Sequence, residues 1–382
     1  MFITERLGLA VGSWLLLCAA AAYARANKAH TAPRHDQRFF YTNDVEEQVP
    51  LSVHIVKIER SHPELQLCTT LGDGQTFGMA TVSEQIKRLP RSFGRPLAAV
   101  NGDFWDTSKY CKGRPRDLQV WNGEVVSSPA GDTCFWMDPN GQPHMTNVFS
   151  EFRVIWADGK TTPIGLNQDR GAAAAVLYTS VVGASTHTHG GVDLVLEPAT
   201  NGVWLPLRIG QVYSARVGSI VPGGDAPLAR QSLVLSIGPR LLPRVPACGV
   251  GAKLRVVTDT IPDLTGVKVA IGGGPALVHE GRVMHWEGFI HARHPRTAVG
   301  WNKDYIYLVE VDGRQNDLSI GMTFPEFASY LAKIGCQEAM NFDGGGSATM
   351  WVLGDVRSSP SEGRERPAPN ALVIVLKQPA KR

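Results

Sequence analysis

The chain has 382 residues, of which 43% are hydrophobic and 19% are charged, and its formal net charge is +3. This composition excludes an intrinsically disordered protein, and the length is enough for one large domain or two ordinary ones. The small net charge, with no Lys/Arg-rich run interleaved with aromatic residues, argues against a nucleic-acid partner.

The first 26 residues have the organisation of a secretory signal peptide. Arg6 supplies a positive n-region, an apolar run extends from Leu7 to Ala22, and Ala22-Tyr23-Ala24 or Ala24-Arg25-Ala26 offers a small-x-small cleavage site. An uncleaved membrane anchor is the alternative, but the run is shorter than the roughly 20 apolar residues that span a bilayer. We therefore expect a signal at residues 1–26, export to the periplasm or the cell exterior, and no membrane partner after cleavage.

Five cysteines follow the predicted signal: Cys68, Cys111, Cys134, Cys248 and Cys336. An exported protein meets an oxidising compartment in which disulfides persist. Cys111 and Cys134 flank a Gly/Pro-rich segment and are the first candidates for a disulfide. The sequence does not determine the connectivity, and the odd number leaves at least one thiol unpaired. The sequence has no CxxC pair and no histidine at metal-ligand spacing from a cysteine, so it predicts no zinc site.

Strand patterns dominate the chain after a polar entry segment. Residues 27–50 lack periodicity and are typical of a tether or an irregular entry strand. Residues 51–58 alternate apolar and polar side chains, which predicts a strand. The apolar runs at 98–100 and 268–271, each stopped by Asn-Gly or Gly-Gly, predict buried strands that end in loops. Residues 305–311 are β-branched and aromatic throughout and predict a further strand.

Helices are few. One is expected from Val82 to Leu89, and a second begins at a capping box formed by Thr323 and Glu326 and ends at Gly335. The 40 glycines and 25 prolines divide the rest into strand-length runs. These patterns predict an α+β fold, in which one β-rich catalytic domain at 51–382 has mixed sheets with a few helices packed on them. We expect the stretch from about 150 to 235 to add strands and loops to the same core.

Four loops share one design, in which an apolar strand ends in glycine and a polar or charged residue. Glycine lets a ligand approach the backbone closely and exposes N–H groups to an anion. A single Asn-Gly or Asp-Gly is more simply interpreted as a hairpin turn. Three successive glycines between Asp343 and Ser347 have no such explanation, because they cost backbone entropy without a packing return. The four loops lie at 101–105, 272–275, 312–315 and 341–347.

The loop at 341–347 does not match two common active-site motifs. It lacks the Gly-x-x-x-x-Gly-Lys-Ser/Thr pattern of a nucleoside-triphosphate site, and Ser347 is not within a Gly-x-Ser-x-Gly elbow. The histidines His279, His285, His291 and His294 also fit no metal-binding spacing. We therefore predict no cofactor, with one alternative left open: a divalent cation such as Ca²⁺ held by Asp103, Asp312 and Asp343.

Taken in order, the motifs of the chain resemble those of the phosphodiester glycosidase family, many of whose bacterial members are described as exopolysaccharide-biosynthesis-like proteins. They cover about residues 97–376, and the poorly matched stretch at about 106–235 is expected to be a variable insert in which substrate specificity diverges. The matching segments are Asn-Gly-x-Phe at 101–104, Gly-Gly-Gly-Pro-x-Leu-Val at 272–278, Pro-Arg-Thr-Ala-Val-Gly at 295–300, Val-Asp-Gly-Arg-Gln at 311–315, Gly-Met-Thr at 321–323, Asn-Phe-Asp-Gly-Gly-Gly-Ser-Ala-Thr-Met at 341–350, and Gly-Arg-Glu-Arg-Pro at 363–367 with Asn370-Ala371.

The resemblance implies an exported hydrolase that cleaves the bond between a sugar's anomeric carbon and a phosphodiester on an envelope or extracellular glycan. Because a phosphate monoester is a good leaving group, catalysis depends on orienting the diester and stabilising an oxocarbenium-like transition state. Carboxylates suit the second task, and the candidates are Asp343 and Asp312, with Glu365 in reserve. The expected substrate-binding residues are Asn101, Asp103, Gly273, Gly274, Arg296, Thr297, Arg314, Gly344, Gly345, Gly346, Ser347, Arg366 and Asn370.

Two other functions remain open on the sequence. A glycosidase acting on a glycan without phosphate would use the same carboxylates but would leave the arginines unexplained. A non-catalytic polysaccharide-binding protein for export or assembly of an envelope polymer would instead stack tryptophans on sugars. The candidates for such stacking are Trp105, Trp121, Trp136, Trp204, Trp286, Trp301 and Trp351, of which we expect at least half to lie in the core.

Overall fold

Extended segments make up most of the protein. The computed structural model describes residues 38–105, 110–202, 204–286 and 292–377, so the signal predicted at residues 1–26 lies outside the described residues. Within those ranges the chain forms 25 strands and two α-helices. The β-rich prediction is confirmed, but the expected α+β class is corrected to a mostly-β fold. Glycine and proline interrupt the chain before most apolar runs reach helical length.

The bounds of the elements are as follows. In the first half of the chain the strands are β1 (Phe39–Glu46), β2 (Leu51–Glu59), β3 (Leu65–Thr69), β4 (Arg95–Asn101), β5 (Gln119–Trp121), β6 (Glu124–Ser127), β7 (Thr133–Met137), β8 (Pro143–Asn147), β9 (Phe149–Trp156), β10 (Thr161–Pro163), β11 (Gly165–Leu166) and β12 (Ala175–Tyr178). In the second half they are β13 (Val192–Pro198), β14 (Val212–Pro222), β15 (Leu233–Ile237), β16 (Lys253–Ile261), β17 (Val269–Gly272), β18 (Ala276–His279), β19 (Arg282–Val283), β20 (Arg296–Trp301), β21 (Tyr305–Val311), β22 (Glu338–Asn341), β23 (Met350–Val352), β24 (Asp355–Val356) and β25 (Ala371–Leu376). The helices are α1 (Val82–Arg88) and α2 (Phe324–Lys333).

The strands form four sheets. Sheet A has the order β1-β2-β21-β20-β22-β18-β19, and sheet B has the order β24-β23-β4-β25-β3. Sheet C has the order β6-β5-β17-β7-β8, and sheet D has the order β10-β9-β16-β14-β13-β15-β12-β11. Among the described strands, β11 with β12 is the one parallel pair. The mixed character expected of the sheets is therefore limited to one edge of sheet D.

The strands and helices predicted from local patterns are present. Strand β2 covers the alternating run at 51–58, β4 includes 98–100, β17 covers most of 268–271, and β21 coincides with 305–311. Helix α1 lies within the predicted helix, and α2 follows the predicted capping box. The entry segment is more regular than expected, because β1 pairs with β2 over its whole length.

Sheets A and B pack face to face. Val56 and Leu308 of sheet A share a buried cluster with Val100 and Leu372 of sheet B. Helix α2 covers the outer face of sheet A beside β18 and β19, and its Phe327 and Leu331 share a buried cluster with side chains of β2, β18 and β21. Helix α1 covers the outer face of sheet B through Val82 and Ile86. The alternation of side chains along each strand thus produces four layers, in the order α2, sheet A, sheet B and α1.

Sheet C connects this sandwich to sheet D. Phe135 and Ile271 of sheet C are buried with the core between sheets A and B. Their neighbours Trp136 and Ala270 point to the opposite face and join the core of sheet D. The stretch from about 150 to 235 therefore builds a sheet with a hydrophobic cluster of its own, beyond adding strands to the first core.

The five described cysteines form no disulfide, so the predicted Cys111–Cys134 bond is wrong. Cys134 lies in the core of sheet D, where its Sγ donates to Asp117 at 3.5 Å. Cys111 is buried in a different cluster, with Val176 and Tyr178. The Gly/Pro-rich segment between the two cysteines therefore connects separate packing environments and does not close a loop through sulfur.

Neither α-helix of the described residues has the length and apolarity needed to cross a lipid bilayer.

The capping box of α2 yields a stability prediction. The Thr323 hydroxyl accepts from the Glu326 amide at 3.3 Å, and the Glu326 carboxylate accepts from the Thr323 amide at 2.9 Å. Thr323→Ala removes the hydroxyl, so we expect the free energy of unfolding to fall by about 1 kcal/mol in urea titrations. Thr323→Ser keeps the oxygen and should stay close to the wild type. Equal destabilisation by both variants would contradict this account of the cap.

Candidate functional site

The ends of three strands of sheet A meet at one edge. Strand β20 runs antiparallel to both β21 and β22, which places Arg296 opposite Val311 and Ala298 opposite Asn341. The turn before β20 therefore lies beside the two loops that follow β21 and β22. Two of the four predicted functional loops, at 312–315 and 341–347, are brought together by this register alone.

Asn101 joins the end of sheet B to this edge. It is the last residue of β4 and is fully buried. Its Oδ1 accepts from the Thr297 hydroxyl at 2.8 Å and from the Thr349 amide at 3.1 Å, while its Nδ2 donates to the Asp343 carbonyl at 2.7 Å. Asn101 and Thr297 were expected to bind substrate. In the structure, the side chains of both instead form a hydrogen bond that connects sheet A with sheet B at the site.

Asp343 lies at the centre of the loops. Its amide donates to the Gly102 carbonyl at 3.0 Å, and its Oδ1 accepts from the Gly344 amide at 2.9 Å. Burial raises the pKa of the Asp343 carboxyl, while hydrogen bonding from Ser347 and Gly344 and the charges of Arg366 and Arg116 oppose that rise. A half-buried carboxylate that is balanced in this way is a usual feature of reactive sites.

The three glycines after Asp343 make room for two arginines. Gly345 has φ +61°, and a Cβ there would lie 2.9 Å from the Arg314 guanidinium. A Cβ on Gly346 would collide with the guanidinium of Arg366 and with the carboxylate of Glu362. The glycines therefore allow two guanidinium groups to approach the loop backbone closely, which is a structural reason for them that the sequence did not reveal.

The loop amides are less available to an anion than expected. Gly344 donates to Asp343, Gly345 donates to the Pro295 carbonyl at 2.9 Å, and the Ser347 amide donates to the Gly344 carbonyl at 3.2 Å. Positive charge for an anionic ligand must consequently come from side chains.

Arg296 and Arg314 form a cationic group at the turn before β20, with His294 beside them. The Arg314 guanidinium lies 3.3 Å from Nδ1 of His294. Burial and the neighbouring Arg314 lower the pKa of Arg296 to about 10, and burial and the two arginines also lower the pKa of His294. Neither arginine forms an ion pair with a carboxylate of the described residues. The arrangement therefore attracts an anion.

Arg296 is held firmly in this group. Its Nε donates to the Met322 carbonyl at 2.9 Å, and its guanidinium lies 4.0 Å above the ring of Phe324. Trp286 is half-buried, with its ring 6.0 Å from that of Phe324, so it borders the same group. Trp136, Trp301 and Trp351 are buried in the cores. They are three of the seven candidates, which is fewer than the half that we expected, and the other four are half-buried.

Two charged residues of the site, Arg116 and Glu362, were missed from the sequence. Arg116 pairs with Asp132 at 2.8 Å and stacks over Phe104 at 4.7 Å, and its charge acts on both Asp343 and Asp103. Glu362 pairs with Arg366. The four-residue spacing of Glu362 and Arg366 was a usable signal. Arg116 offered none, because it lies in the stretch that matched no motif.

Asp103 is a buried carboxylate next to the site. It is 1% exposed, its Oδ2 accepts from the Asp117 amide at 2.8 Å, and its Oδ1 has no hydrogen-bond partner among the described residues. Burial, with the nearby charge of Asp117, raises the pKa of Asp103 to about 7. The side chain of Asn370 accepts from the Asp103 amide at 2.9 Å, so the predicted residues Asp103 and Asn370 build one buried support.

Other predicted site residues serve packing or lie elsewhere. A Cβ on Gly273 would lie 2.6 Å from the Asn341 carbonyl, and the Gly274 amide donates to that carbonyl at 2.7 Å, so this loop packs on β22. Glu365 accepts from the Ser83 amide at 3.1 Å in the first turn of α1, which directs its carboxylate toward the helix. The structure therefore gives no support to Glu365 as a reserve catalytic group.

The carboxylate of Asp312 forms its hydrogen bonds with residues other than those around Asp343. Its Oδ2 lies 3.0 Å from Nε2 of His54, and its Oδ1 accepts from the Ser359 amide at 2.6 Å. Among the described residues, the acidic and histidine side chains that come within 4.8 Å of one another as a group of three are His54, Glu310 and Asp312. The Ca²⁺ alternative built on Asp103, Asp312 and Asp343 is thus not met by the geometry.

Fold and site together define a β-sheet protein with a carboxylate in a loop between guanidinium groups. Residues 230–375 match the model of the phosphodiester glycosidase family. The match contains Arg296, Asp312, Arg314, Asp343 and Arg366, whereas the support from Asn101 to Arg116 lies outside it.

Proteins of similar sequence support the family match, and solved structures share the fold. Over 109 residues the chain is 33% identical to N-acetylglucosamine-1-phosphodiester alpha-N-acetylglucosaminidase of Bos taurus, a match that covers 26% of this chain and 20% of the relative. The matched part thus spans about a fifth of that relative's length. A hypothetical protein from Synechocystis superposes with a TM-score of 0.69 at 19% identity, covering 89% of this chain and 62% of the other. A protein of Burkholderia pseudomallei K96243 superposes with a TM-score of 0.66 at 23% identity, covering 85% and 74%. Both superpositions concern the fold.

Asp103 yields a prediction about stability and pH. Its pKa in the folded chain is about 7, above the ordinary value of 3.8, so the folded state binds the proton more tightly. The resulting stability is complete below the unfolded-state pKa and is lost as the pH rises through the folded-state pKa. Asp103→Asn removes this titration. We expect the melting temperature of Asp103→Asn to rise relative to that of the wild type as the pH increases from about 5 to about 8.

The control for this experiment is Asp355→Asn, which changes an exposed carboxylate on β24. Its difference from the wild type should be flat over the same pH range. A flat profile for Asp103→Asn would show that Asp103 does not titrate as described.

Proposed function

We propose that the protein is an exported phosphodiester glycosidase, which hydrolyses the bond between a sugar's anomeric carbon and a phosphodiester. One observation carries the proposal: the half-buried Asp343 carboxylate lies in a glycine loop against which the guanidinium groups of Arg314 and Arg366 pack. The family match over residues 230–375 supports it. The Bos taurus relative, whose name states action on an N-acetylglucosamine-1-phosphodiester, points to the same bond.

The cationic side chains suit the phosphodiester group. Arg314 has no carboxylate partner among the described residues, and Arg296 holds its charge beside it. A phosphodiester bound there keeps one negative charge and offers two oxygens, which match the fork of a guanidinium. Arg366 is partly neutralised by Glu362, so it contributes orientation more than net charge. The anionic leaving group is thereby fixed next to Asp343.

Asp343 then acts at the anomeric carbon. As a carboxylate it either attacks that carbon or removes a proton from the attacking water, and the oxocarbenium-like transition state gains from its negative charge. Phosphate departs with little need of a proton, so a strong general acid is not required. Asp343 must be deprotonated for both roles. Since burial raises its pKa, activity should decline on the acid side as that carboxyl takes up its proton.

The physiological substrate in this proposal is an envelope or extracellular glycan that carries a sugar phosphodiester. Most strands of sheets C and D, from β5 to β14, lie in the part of the chain that precedes the family match, whereas β15, β16 and β17 lie within it. Arg116, which acts on Asp343, belongs to that part. Selection among sugars is accordingly assigned to residues of the insert.

The role of Asp343 is tested by Asp343→Asn. With a panel of sugar-1-phosphodiesters and detection of free reducing sugar, we expect turnover to fall by at least about two orders of magnitude. The melting temperature should stay close to that of the wild type, because the main-chain bonds that hold the loop remain. Asp355→Asn, an exposed carboxylate outside the site, should keep full activity. Full turnover by Asp343→Asn would remove the assignment.

Recognition of the phosphodiester is tested by Arg314→Gln. We expect KM for a sugar-1-phosphodiester to rise by roughly tenfold to a hundredfold, since a charge-assisted hydrogen bond is lost. A neutral aryl glycoside should be hydrolysed poorly and without response to the change. Arg153→Gln, which breaks a 2.9 Å pair with Asp259 on sheet D, serves as the matched control. Equal hydrolysis of both substrates, unaffected by Arg314→Gln, would instead indicate a glycosidase for glycans without phosphate.

A further inference from the structure

Three ionisable side chains are buried together in the middle of sheet A. His54 on β2 lies opposite Glu310 on β21, and Asp312 follows the end of β21. Their exposed fractions are 3%, 1% and 1% respectively. One ligand-type atom from each side chain lies within 4.8 Å of those from the other two. None of these residues belongs to the site around Asp343.

The hydrogen bonds of this cluster leave one oxygen unsatisfied. Nδ1 of His54 lies 2.8 Å from the Tyr41 hydroxyl, and its Nε2 lies 3.0 Å from Oδ2 of Asp312. The other oxygen of Asp312 accepts from the Ser359 amide at 2.6 Å. Oε2 of Glu310 is buried and has no hydrogen-bond partner among the described residues. A buried oxygen without a donor destabilises the folded state, and more strongly when the group is charged.

The charges of the cluster pose the same problem. Two neighbouring carboxylates that are both withdrawn from water are strongly unfavourable unless a positive charge compensates them. A proton on Glu310 would remove one negative charge but would itself need an acceptor. A divalent cation among the three side chains cancels both charges and occupies the open side of Glu310 in one step.

We propose that His54, Glu310 and Asp312 bind a divalent first-row transition-metal ion, Zn²⁺ or Mn²⁺. One imidazole nitrogen and two carboxylate oxygens are donors for such an ion at about 2.0–2.2 Å. Donor atoms at such distances in a tetrahedral site lie about 3.3 Å from one another. Nε2 of His54 and Oδ2 of Asp312 are 3.0 Å apart, and the atom of Glu310 lies within 4.8 Å of both. Ca²⁺ fits poorly, since it takes six to eight oxygen ligands.

The surroundings support the ligand roles. If Nδ1 of His54 donates to the Tyr41 oxygen, Nε2 carries the lone pair and faces Asp312 and the ion. Metal-bound histidines commonly have an outer hydrogen-bond partner of this kind, which sets the tautomer and the ring orientation. The Ser359 amide fixes the carboxylate of Asp312 in the same way.

The position of the cluster gives the ion a structural role. Asp312 is followed by Gly313 and then by Arg314, which has φ +61°. The Asp312 carbonyl also accepts from the Ser319 hydroxyl at 2.6 Å, which closes the same turn. A metal ion at Asp312 therefore anchors the base of the turn that presents Arg314. This inference concerns metal binding and stability, and it does not depend on the proposed glycosidase activity.

The first experiment measures metal in the full chain, produced without a polyhistidine tag in medium supplemented with Zn²⁺ and Mn²⁺. We expect about one equivalent of one of these metals per chain after exhaustive dialysis, as a buried three-ligand site retains its ion. Removal with dipicolinate should lower the melting temperature by several degrees, and return of the same metal should restore it. Co²⁺ loaded in its place should give visible d–d absorption.

Variants locate the ion. Glu310→Gln keeps the shape of the side chain but removes a charged ligand, so we expect metal content to fall at least about tenfold. Its melting temperature should no longer respond to chelator. The control is His144→Gln, which alters an exposed histidine–carboxylate pair, His144 with Asp138 at 3.2 Å, and should retain the metal. If Glu310→Gln fails to fold, the metal content and chelator response of the wild type still decide the question, together with His54→Gln.

Two results would overturn the proposal. Wild-type protein without stoichiometric metal, and with no change in melting temperature on adding Zn²⁺ or Mn²⁺, would show that the cluster is a proton-sharing network. Retention of the full metal content by Glu310→Gln and His54→Gln would place the ion elsewhere. Both measurements are independent of turnover, so a failure of the proposed enzymatic function leaves them interpretable.

Discussion

The side chain of Asn101 is the connection on which the rest of the site depends. It accepts from Thr297 in sheet A and from the Thr349 amide, and it donates to the carbonyl of Asp343. Because Asn101 is completely buried, these bonds form without competition from water. Two sheets and the loop around Asp343 are thereby held in one arrangement. An amide supplies the acceptor and the donor at once, which neither Asp nor Leu can do.

Electrostatics and packing act together above this connection. The glycines after Asp343 have no side chains, and the guanidinium groups of Arg314 and Arg366 take the space that a Cβ would fill. Arg296 lies beside Arg314, and its pKa is lowered to about 10 because the guanidinium is partly desolvated and close to a second positive charge. An anionic ligand relieves that repulsion. The unfavourable interaction between the two arginines would therefore be offset by the binding of an anion.

Prediction from the sequence succeeded where short-range patterns decide. The alternation in β2, the aromatic and β-branched run of β21 and the capping box at Thr323 are local signals, and each element was found. Contacts between distant segments were not accessible in this way. His54 and Asp312 are 258 positions apart, and only the pairing of β2 with β21 makes Asp312 part of a buried cluster instead of the loops around Asp343. The same limit applies to Arg116, whose charge reaches Asp343 from the insert.

The loop around Asp343 could be located from its residues alone, since three glycines between an acidic residue and a serine have no ordinary explanation as a turn. The order of its neighbouring motifs also indicated the family resemblance that the match over residues 230–375 supports, because each motif is a contiguous stretch of chain. The task of each residue was decided only on folding: Asn101 and Thr297 became connectors, Glu365 a helix cap, and the cysteines separate core residues. The physical reason is that hydrogen bonding, burial and charge depend on distances between segments, and those distances follow from strand register and sheet packing.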